Sequence, residues 1–550
     1  MDADVLIVGA GPVGMITAID LAARGVGVIV VETRGAGTAP SAKCNHVSAR
    51  SMEALRRLGL VEEVRAAGLP HDHPHDVVFR TRLTGPEMAR IPIPSRDGRR
   101  SPDRRGPDAD WPTPEPPHRI NQIYFEPILF RRMQASAGVT VFDRHEARTL
   151  RQDADCVTLT IGDCRDGASR ELRARYLIGC DGGRSMVRRA IGARLDGDAV
   201  IQRVQTSHIR MPGLIDRIPG ERGWMTYCYN AERAGTALAI DGREQWLVHN
   251  YLLPDEPDFD SVDRDRCLRA ILGVPDLPYE ILGKEDWFGR RLVADSFRDR
   301  RVFLCGDAAH LWVPYGGYGM NAGIADGLGL SWLLAAHIAG WAPASILDAY
   351  TAERQPITEQ VSRFAMRHAE QAIRERTTLP PEIESDSACG AAARARVGEA
   401  AYRLNVQQFA CAGLNFGYYY ESSPIIADDD EAAPAYTMAD YTPSTVPGCR
   451  TPHVWLGDGA SLYDRTGAGY CLIAREDAPD PGPLIAAADA RGLPLSVLRV
   501  GVGELPPVYR HALLVTRPDQ HVAWRGDALP PDPFALVDRL RGAAGRRRAP

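Results

Sequence analysis

The chain has 550 residues, 44% of them hydrophobic and 25% charged, enough for two to four domains at about 100 to 200 residues each; that mix excludes a disordered, collagen-like or coiled-coil protein. A net charge of −6, from 65 basic and 71 acidic residues, supplies no general attraction to nucleic acid or to an anionic membrane, so small molecules are the expected partners. Eleven scattered cysteines without a C-x-x-C pair fit reduced thiols rather than a disulfide framework or a zinc site, and no metal is expected.

The N-terminus enters the apolar run Asp4–Val8 with no basic segment before it, and no uninterrupted apolar stretch reaches about 18 residues. A soluble, cytoplasmic protein without stable membrane insertion is therefore expected. Gly9-Ala-Gly11-Pro-Val-Gly14 follows, then a helical pattern from Met15 to Ala22 and a second apolar run, Val26–Val31. Strand, glycine turn, helix and strand in this order read as a dinucleotide site. Gly9 allows the tight turn, Gly11 admits a pyrophosphate to the backbone, and Gly14 brings helix and strand close. Glu32 ends the second strand, where an acidic side chain accepts hydrogen bonds from an adenosine ribose.

Pro86–Pro117, rich in proline and arginine and without periodicity, reads as a long surface excursion. The segments Gly223–Tyr229 and Glu244–Tyr251 read as strands of an antiparallel sheet, with Tyr227 and Tyr229 sharing one face and His249 and Tyr251 another. These four are candidate substrate-binding residues; core aromatics are the alternative. Arg301–Cys305 reads as a buried strand ending in Gly306-Asp307, followed by Pro314-Tyr-Gly-Gly-Tyr-Gly319-Met320-Asn321 and a helix expected over about 322–337. A further helical stretch is expected from about 345 to Arg376, broken at Leu379-Pro-Pro381 and resumed from Gly390 to about Phe409.

Gly306-Asp307 with the Pro314–Asn321 segment, Asp181-Gly182 after the strand-like Tyr176–Gly179, and the opening glycine turn stand in one order along the chain. In that order they resemble the FAD-dependent aromatic hydroxylases, the single-component class related to para-hydroxybenzoate hydroxylase and phenol hydroxylase. The resemblance implies that Asp307 binds the ribityl chain of FAD, and that Gly319, Met320 and Asn321 present a helix N-terminus to the flavin, where it stabilises a reduced, negative ring. It also implies cofactor contacts from Asp181, Gly306, Gln122, Lys43 and Arg50. Lys43 stands where relatives often carry arginine, and a lysine lacks the bidentate fork. Arg50 has a structural ion pair as its alternative. Asn45 and His46 lie in a loop that faces substrate in such enzymes; His46 is the leading base candidate, with a packed or capping histidine as the other reading. Pro314 matches a proline whose carbonyl faces substrate, and Tyr315 follows it beside the flavin. From about Thr442 the chain resembles the thioredoxin-like extension of phenol hydroxylases, without C-x-x-C, which suits a structural or dimer-supporting role.

The expectation is thus an α/β protein with a Rossmann-like FAD-binding domain (1–75, 115–185 and 290–345), a mixed-sheet substrate domain (76–114 and 186–289), a helical region (346–435) and a thioredoxin-like C-terminal domain (440–546). The implied reaction is hydroxylation of a phenolic or polycyclic aromatic by O2 with NADPH or NADH, through a flavin C4a-hydroperoxide, in a protein that can form a homodimer. A flavin oxidase or reductase acting on a related aromatic or quinone shares every nucleotide motif and stays open. So does a flavin-binding protein without activity.

Overall fold

The computed structural model describes residues 1–38 and 40–544. Strand Ala3–Val8, with Val5, Leu6 and Ile7 wholly buried, pairs in parallel with Val28–Glu32 and with the end of Ser169–Gly179. An unbroken apolar run is what a central parallel strand covered on both faces requires. Val139–Asp143 and Val302–Leu304 extend the parallel sheet on its two sides. Helices Pro12–Ala23, Gln122–Ala135 and Gly319–Ile338 pack together over it. The first half of Ser169–Gly179 leaves this sheet to pair antiparallel with Val157–Asp163, which in turn pairs with His145–Gln152.

A second sheet has seven strands, in the order Glu280–Gly289, Gln202–Arg210, Gln245–Tyr251, Gly235–Ala239, Met225–Cys228, Val77–Arg80 and Glu87–Ile91. Only the pair Met225–Cys228 with Val77–Arg80 is parallel. Its register places Glu285, Thr206, His249, Thr236 and Tyr227 in one cross-strand row, and residues directly opposite in a sheet share a face. The architecture is therefore α/β, a Rossmann-like parallel sheet covered by helices beside a mixed seven-stranded sheet.

The proline- and arginine-rich stretch is not the surface excursion its composition suggests. It contributes strand Glu87–Ile91 to the second sheet and buries Asp108 completely, beside Arg99 at 2.5 Å. Arginine–carboxylate pairs anchor it where an apolar repeat does not.

Helices Asp348–Thr377 and Ala388–Phe409 follow the parallel sheet. The last unit is built as strand Tyr470–Arg475, helix Gly482–Arg491, parallel strand Leu495–Val500, antiparallel strands Leu513–Thr516 and Val522–Gly526, then helix Pro533–Leu540. This is the thioredoxin-like arrangement. Buried ion pairs dock it: Arg450 with Glu53, and Arg517 with Glu353 at 2.5 Å. Among the described residues no helix is long and apolar enough to cross a membrane.

Candidate active site

The glycine turn shows which side chains the fold forbids and which it leaves room for. Gly9 has φ +102°, and a Cβ there would lie 2.4 Å from the Cys180 carbonyl oxygen; a Cβ on Gly14 would lie 2.0 Å from the Gly9 oxygen. Gly11 and Gly319 meet nothing within 4 Å, so packing does not account for their missing side chains. Gly11 is the N-cap of Pro12–Ala23, and Gly319 opens Gly319–Ile338. Open space at a bare helix N-terminus is what a phosphate or an anionic ring needs. Glu32 accepts from the Ala10 N–H at 2.6 Å through Oε2 and from Arg34 through Oε1, and Oε2 keeps a lone pair for a ribose hydroxyl.

Gly306 donates its N–H to Asp326, whose other oxygen takes Arg354 and which also meets His310 at 2.6 Å. This buried network fixes the turn that presents Asp307. The Asp307 carboxylate opens onto a cavity and accepts no hydrogen bond among the described residues. The enclosing protein pushes its carboxyl above the usual range, against the pull of His310 and Lys43. Hydroxyl donors on a ligand would satisfy it. The residues present therefore fit FAD: the Gly9–Gly14 turn and Glu32 for its nucleotide half, Asp307 for its ribityl chain, and the start of Gly319–Ile338 for its ring.

The cavity, about 350 Å³, lies between the two sheets' site edges. Lys43, Asn45, His46, Asp307, Pro314, Tyr315, Gly319 and Met320 line it from the nucleotide side. Tyr227, Thr236, His249, Thr206 and Glu285 line it from the cross-strand row, joined by Tyr251 and Trp287. His249 meets the Thr206 hydroxyl at 2.8 Å, and Tyr251 shares a hydrogen bond with Thr236 at 2.7 Å. Burial pushes His249 down to about 4 and raises Tyr227 and Tyr251 above the ordinary phenol range. These groups are neutral at physiological pH. Tyr315 accepts from Arg376 at 2.8 Å, and the same guanidinium lies 4.1 Å from the Tyr251 ring centroid.

Several residues singled out in the sequence have other work here. Arg50 turns to the last unit, donating to the Asp519 carbonyl at 3.1 Å and to Gln520 at 3.3 Å, and does not line the cavity. Asn321 is saturated: its oxygen accepts from Ser48 N–H and Ser51 Oγ, and its nitrogen donates to the carbonyls of His46 and Gly317. It ties the His46 loop to the helix, which begins at Gly319, three residues before the expected Ala322. Asp181 accepts from Ser185, Met186 and Val187 at the start of a short helix. Gln122 donates to Glu126. Lys43 pairs with Glu285 at 2.5 Å, and Asn45 accepts from Asn121 at 2.5 Å. The Pro314 carbonyl accepts from Gly317 N–H at 3.0 Å. Tyr229 is buried beside Phe79 and Tyr227, away from the cavity surface. His46 does line the cavity, but burial and then Arg119 push it well below the ordinary histidine value, so it is a weak base.

Arg119, Trp224, Trp312, Arg376, Gln408 and Phe409 went unnoticed as site candidates, although all but Arg376 line the cavity and Arg376 holds Tyr315. Arg119 has a local signal, three residues before Gln122. Gln408 and Phe409 come from the end of a helix with no motif, and only the tertiary fold brings them in.

The FAD binding domain family matches residues 2–365 and the aromatic-ring hydroxylase C-terminal family matches residues 444–546. The chain is 31% identical to FAD-dependent monooxygenase opdD of Penicillium oxalicum, over 87% of this chain and 95% of that protein. It is 29% identical to phenol 2-monooxygenase of a Pseudomonas strain, over 98% and 93%. A solved structure of the rebeccamycin biosynthetic enzyme RebC with reduced flavin superposes with a TM-score of 0.89 at 34% identity, covering 98% of this chain and 99% of that one.

Proposed function

We propose, for a chain that belongs to the FAD-dependent aromatic-ring hydroxylase family, that it hydroxylates a phenolic or polycyclic aromatic substrate at the cost of NAD(P)H and O2. The observation that carries this reading is a single cavity onto which the unpaired Asp307 carboxylate, the bare helix start at Gly319 and an aromatic wall all open. FAD, when bound, supplies the reductant-driven activation of oxygen. The chain supplies the chamber. Tyr227, Trp224, Trp287 and Phe409 give flat apolar surface for an aromatic ring and exclude water from it.

Proton handling falls to neutral groups. His46 and His249, both held below the ordinary histidine value by burial, act as hydrogen-bond partners that orient a phenol. Tyr315, its oxygen taken by Arg376, keeps its hydroxyl proton to donate toward the cavity. The location is cytoplasmic, where NAD(P)H is available. The last unit, held by buried ion pairs, serves to stabilise the chain or a homodimer.

Purified protein with FAD, NAD(P)H and isotopically labelled O2 is to be incubated with a panel of phenols and polycyclic phenols. One labelled oxygen in a product, read by mass spectrometry, is the expected result. Reductant consumption that yields only peroxide across the panel would leave an oxidase as the better description.

A further inference from the structure

The aromatic wall holds a histidine whose proton is placed by its neighbours. Thr206 stands directly opposite His249 on the adjacent strand, and its hydroxyl oxygen lies 2.8 Å from His249 Nδ1. The same oxygen accepts the indole N–H of Trp287 at 3.0 Å. An indole nitrogen can only donate, whereas a threonine hydroxyl has one proton and two lone pairs. With Trp287 on one lone pair, the hydroxyl proton has a single acceptor in reach among the described residues, His249 Nδ1.

His249 is neutral, because burial pushes it down to about 4, so its ring carries one N–H. When Nδ1 accepts, that N–H is on Nε2. The opposite tautomer would leave the Thr206 proton without an acceptor, an unmade bond that burial makes costly. The Trp287 ring stands at 87° to the imidazole with centroids 6.3 Å apart, which holds the plane of the histidine. Nε2 has no hydrogen-bond partner among the described residues, is not sealed from solvent, and belongs to a residue that lines the cavity. The free N–H therefore opens onto the chamber.

We propose that Thr206 and Trp287 are positioning residues that fix His249 as a hydrogen-bond donor through Nε2, and that this N–H is a specificity-determining contact for an acceptor oxygen on the aromatic substrate. A ligand with only carbon at this point leaves the N–H unpaired, and a site built to make a hydrogen bond discriminates against such a ligand. The inference rests on the reading of this cavity as the substrate chamber.

The first test is nuclear magnetic resonance of the FAD holoenzyme at neutral pH with isotope-labelled histidine ring nitrogens, the His249 signals being identified by their absence from His249→Phe. The proton is expected on Nε2. Thr206→Ser should leave the signals in place, while Thr206→Val, which keeps the shape and deletes the hydroxyl, should shift the Nδ1 resonance and admit the other tautomer. The second test titrates the holoenzyme with 1-tetralone and with tetralin, two fused-ring ligands that differ by one carbonyl oxygen, read by the change in flavin absorbance without turnover. The ratio of ketone to hydrocarbon affinity should fall about 2- to 10-fold in His249→Phe, the span of one neutral hydrogen bond. Thr206→Val should move the ratio the same way, and Thr206→Ser should restore it. A wild-type proton on Nδ1, His249 signals unchanged in Thr206→Val, a ratio unchanged in His249→Phe, or no flavin response to 1-tetralone would overturn the proposal. Should Thr206→Val fail to fold, the wild-type spectrum and His249→Phe decide. Labelled oxygen delivered to a phenol by a protein whose His249 carries its proton on Nδ1 sinks the donor contact alone. A His249-dependent ratio without oxygen transfer to any phenol sinks the hydroxylase reading alone.

Discussion

The nucleotide end and the aromatic end of the site are made in different ways. At the nucleotide end the work is done by backbone: Gly9, Gly11 and Gly14 lie within six residues and act by lacking side chains. At the aromatic end it is done by side chains drawn from the 43–46 loop, from strands as far apart as Met225–Cys228 and Glu280–Gly289, and from the helix ending at Phe409. A one-residue slip of a single strand would turn Thr206, His249 or Thr236 out of the cavity. The first end depends on three bare positions, the second on the register of a whole sheet.

The largest effect should come from substituting Gly14. Alanine there sets a Cβ 2.0 Å from a backbone oxygen that cannot move alone, and overpacking of this kind costs about 3 kcal/mol or more. Gly14→Ala is expected to lower the melting temperature of the apoprotein and to abolish FAD retention. Gly11→Ala should separate fold from ligand. Its φ of −74° suits alanine and its Cβ meets no protein atom. The apoprotein should melt as the wild type does, while the FAD dissociation constant rises about 10- to 100-fold from steric conflict with the bound nucleotide. If both variants behave alike, the division between packing glycine and ligand glycine is wrong.

That contrast also explains what could be read from the chain. The motifs at Gly9–Gly14 and Gly306–Asp307 are contiguous, and each states a steric or electrostatic requirement in a few residues. The alternation in Gln245–Tyr251 was enough to put His249 and Tyr251 on one face, and the structure places both on the cavity. Tyr229 shows the limit of the same rule: it lies just beyond the strand Met225–Cys228, where period two no longer governs direction. Asn321 and Arg50 show another limit, since their partners stand 273 and 470 positions away. No local pattern encodes such pairings. Arg119 was visible as a charge, but its surroundings were not, because Asp108 comes beside it only once the proline-rich stretch is folded in.

A pH titration probes the aromatic end through the sheet. His249 ionises at about 4 in the folded chain, against 6.5 when exposed, because burial disfavours its charge. Between these values the unfolded chain binds a proton that the folded chain refuses, so stability is fully present above pH 6.5 and is lost as pH falls toward 4. The loss is about 1.4 kcal/mol per pH unit. Other buried histidines add similar slopes, so the quantity to measure is the difference between wild type and His249→Gln in denaturant unfolding at pH 7 and pH 5.5. The variant should show the shallower dependence; parallel profiles would mean that water reaches the cavity wall and that the chamber is not dry.

The smallest effect is expected at Tyr315, where the two ends meet. Tyr315→Phe removes the oxygen that accepts from Arg376, which still has Gln202 and the Tyr251 ring. A buried N–H left without its acceptor costs about 1 kcal/mol, a modest fall in melting temperature. Tyr315 also lines the cavity, together with Gly316 and Gly319, so a change at this residue should lower the fraction of NAD(P)H whose oxygen reaches product and raise the fraction released as peroxide. FAD affinity should not change, since none of the groups assigned to the nucleotide is touched. A variant that lost FAD as readily as Gly11→Ala would show that Arg376 and Tyr315 hold the cofactor as well as the substrate, and the separation of the two ends would then fail at the residue that joins them.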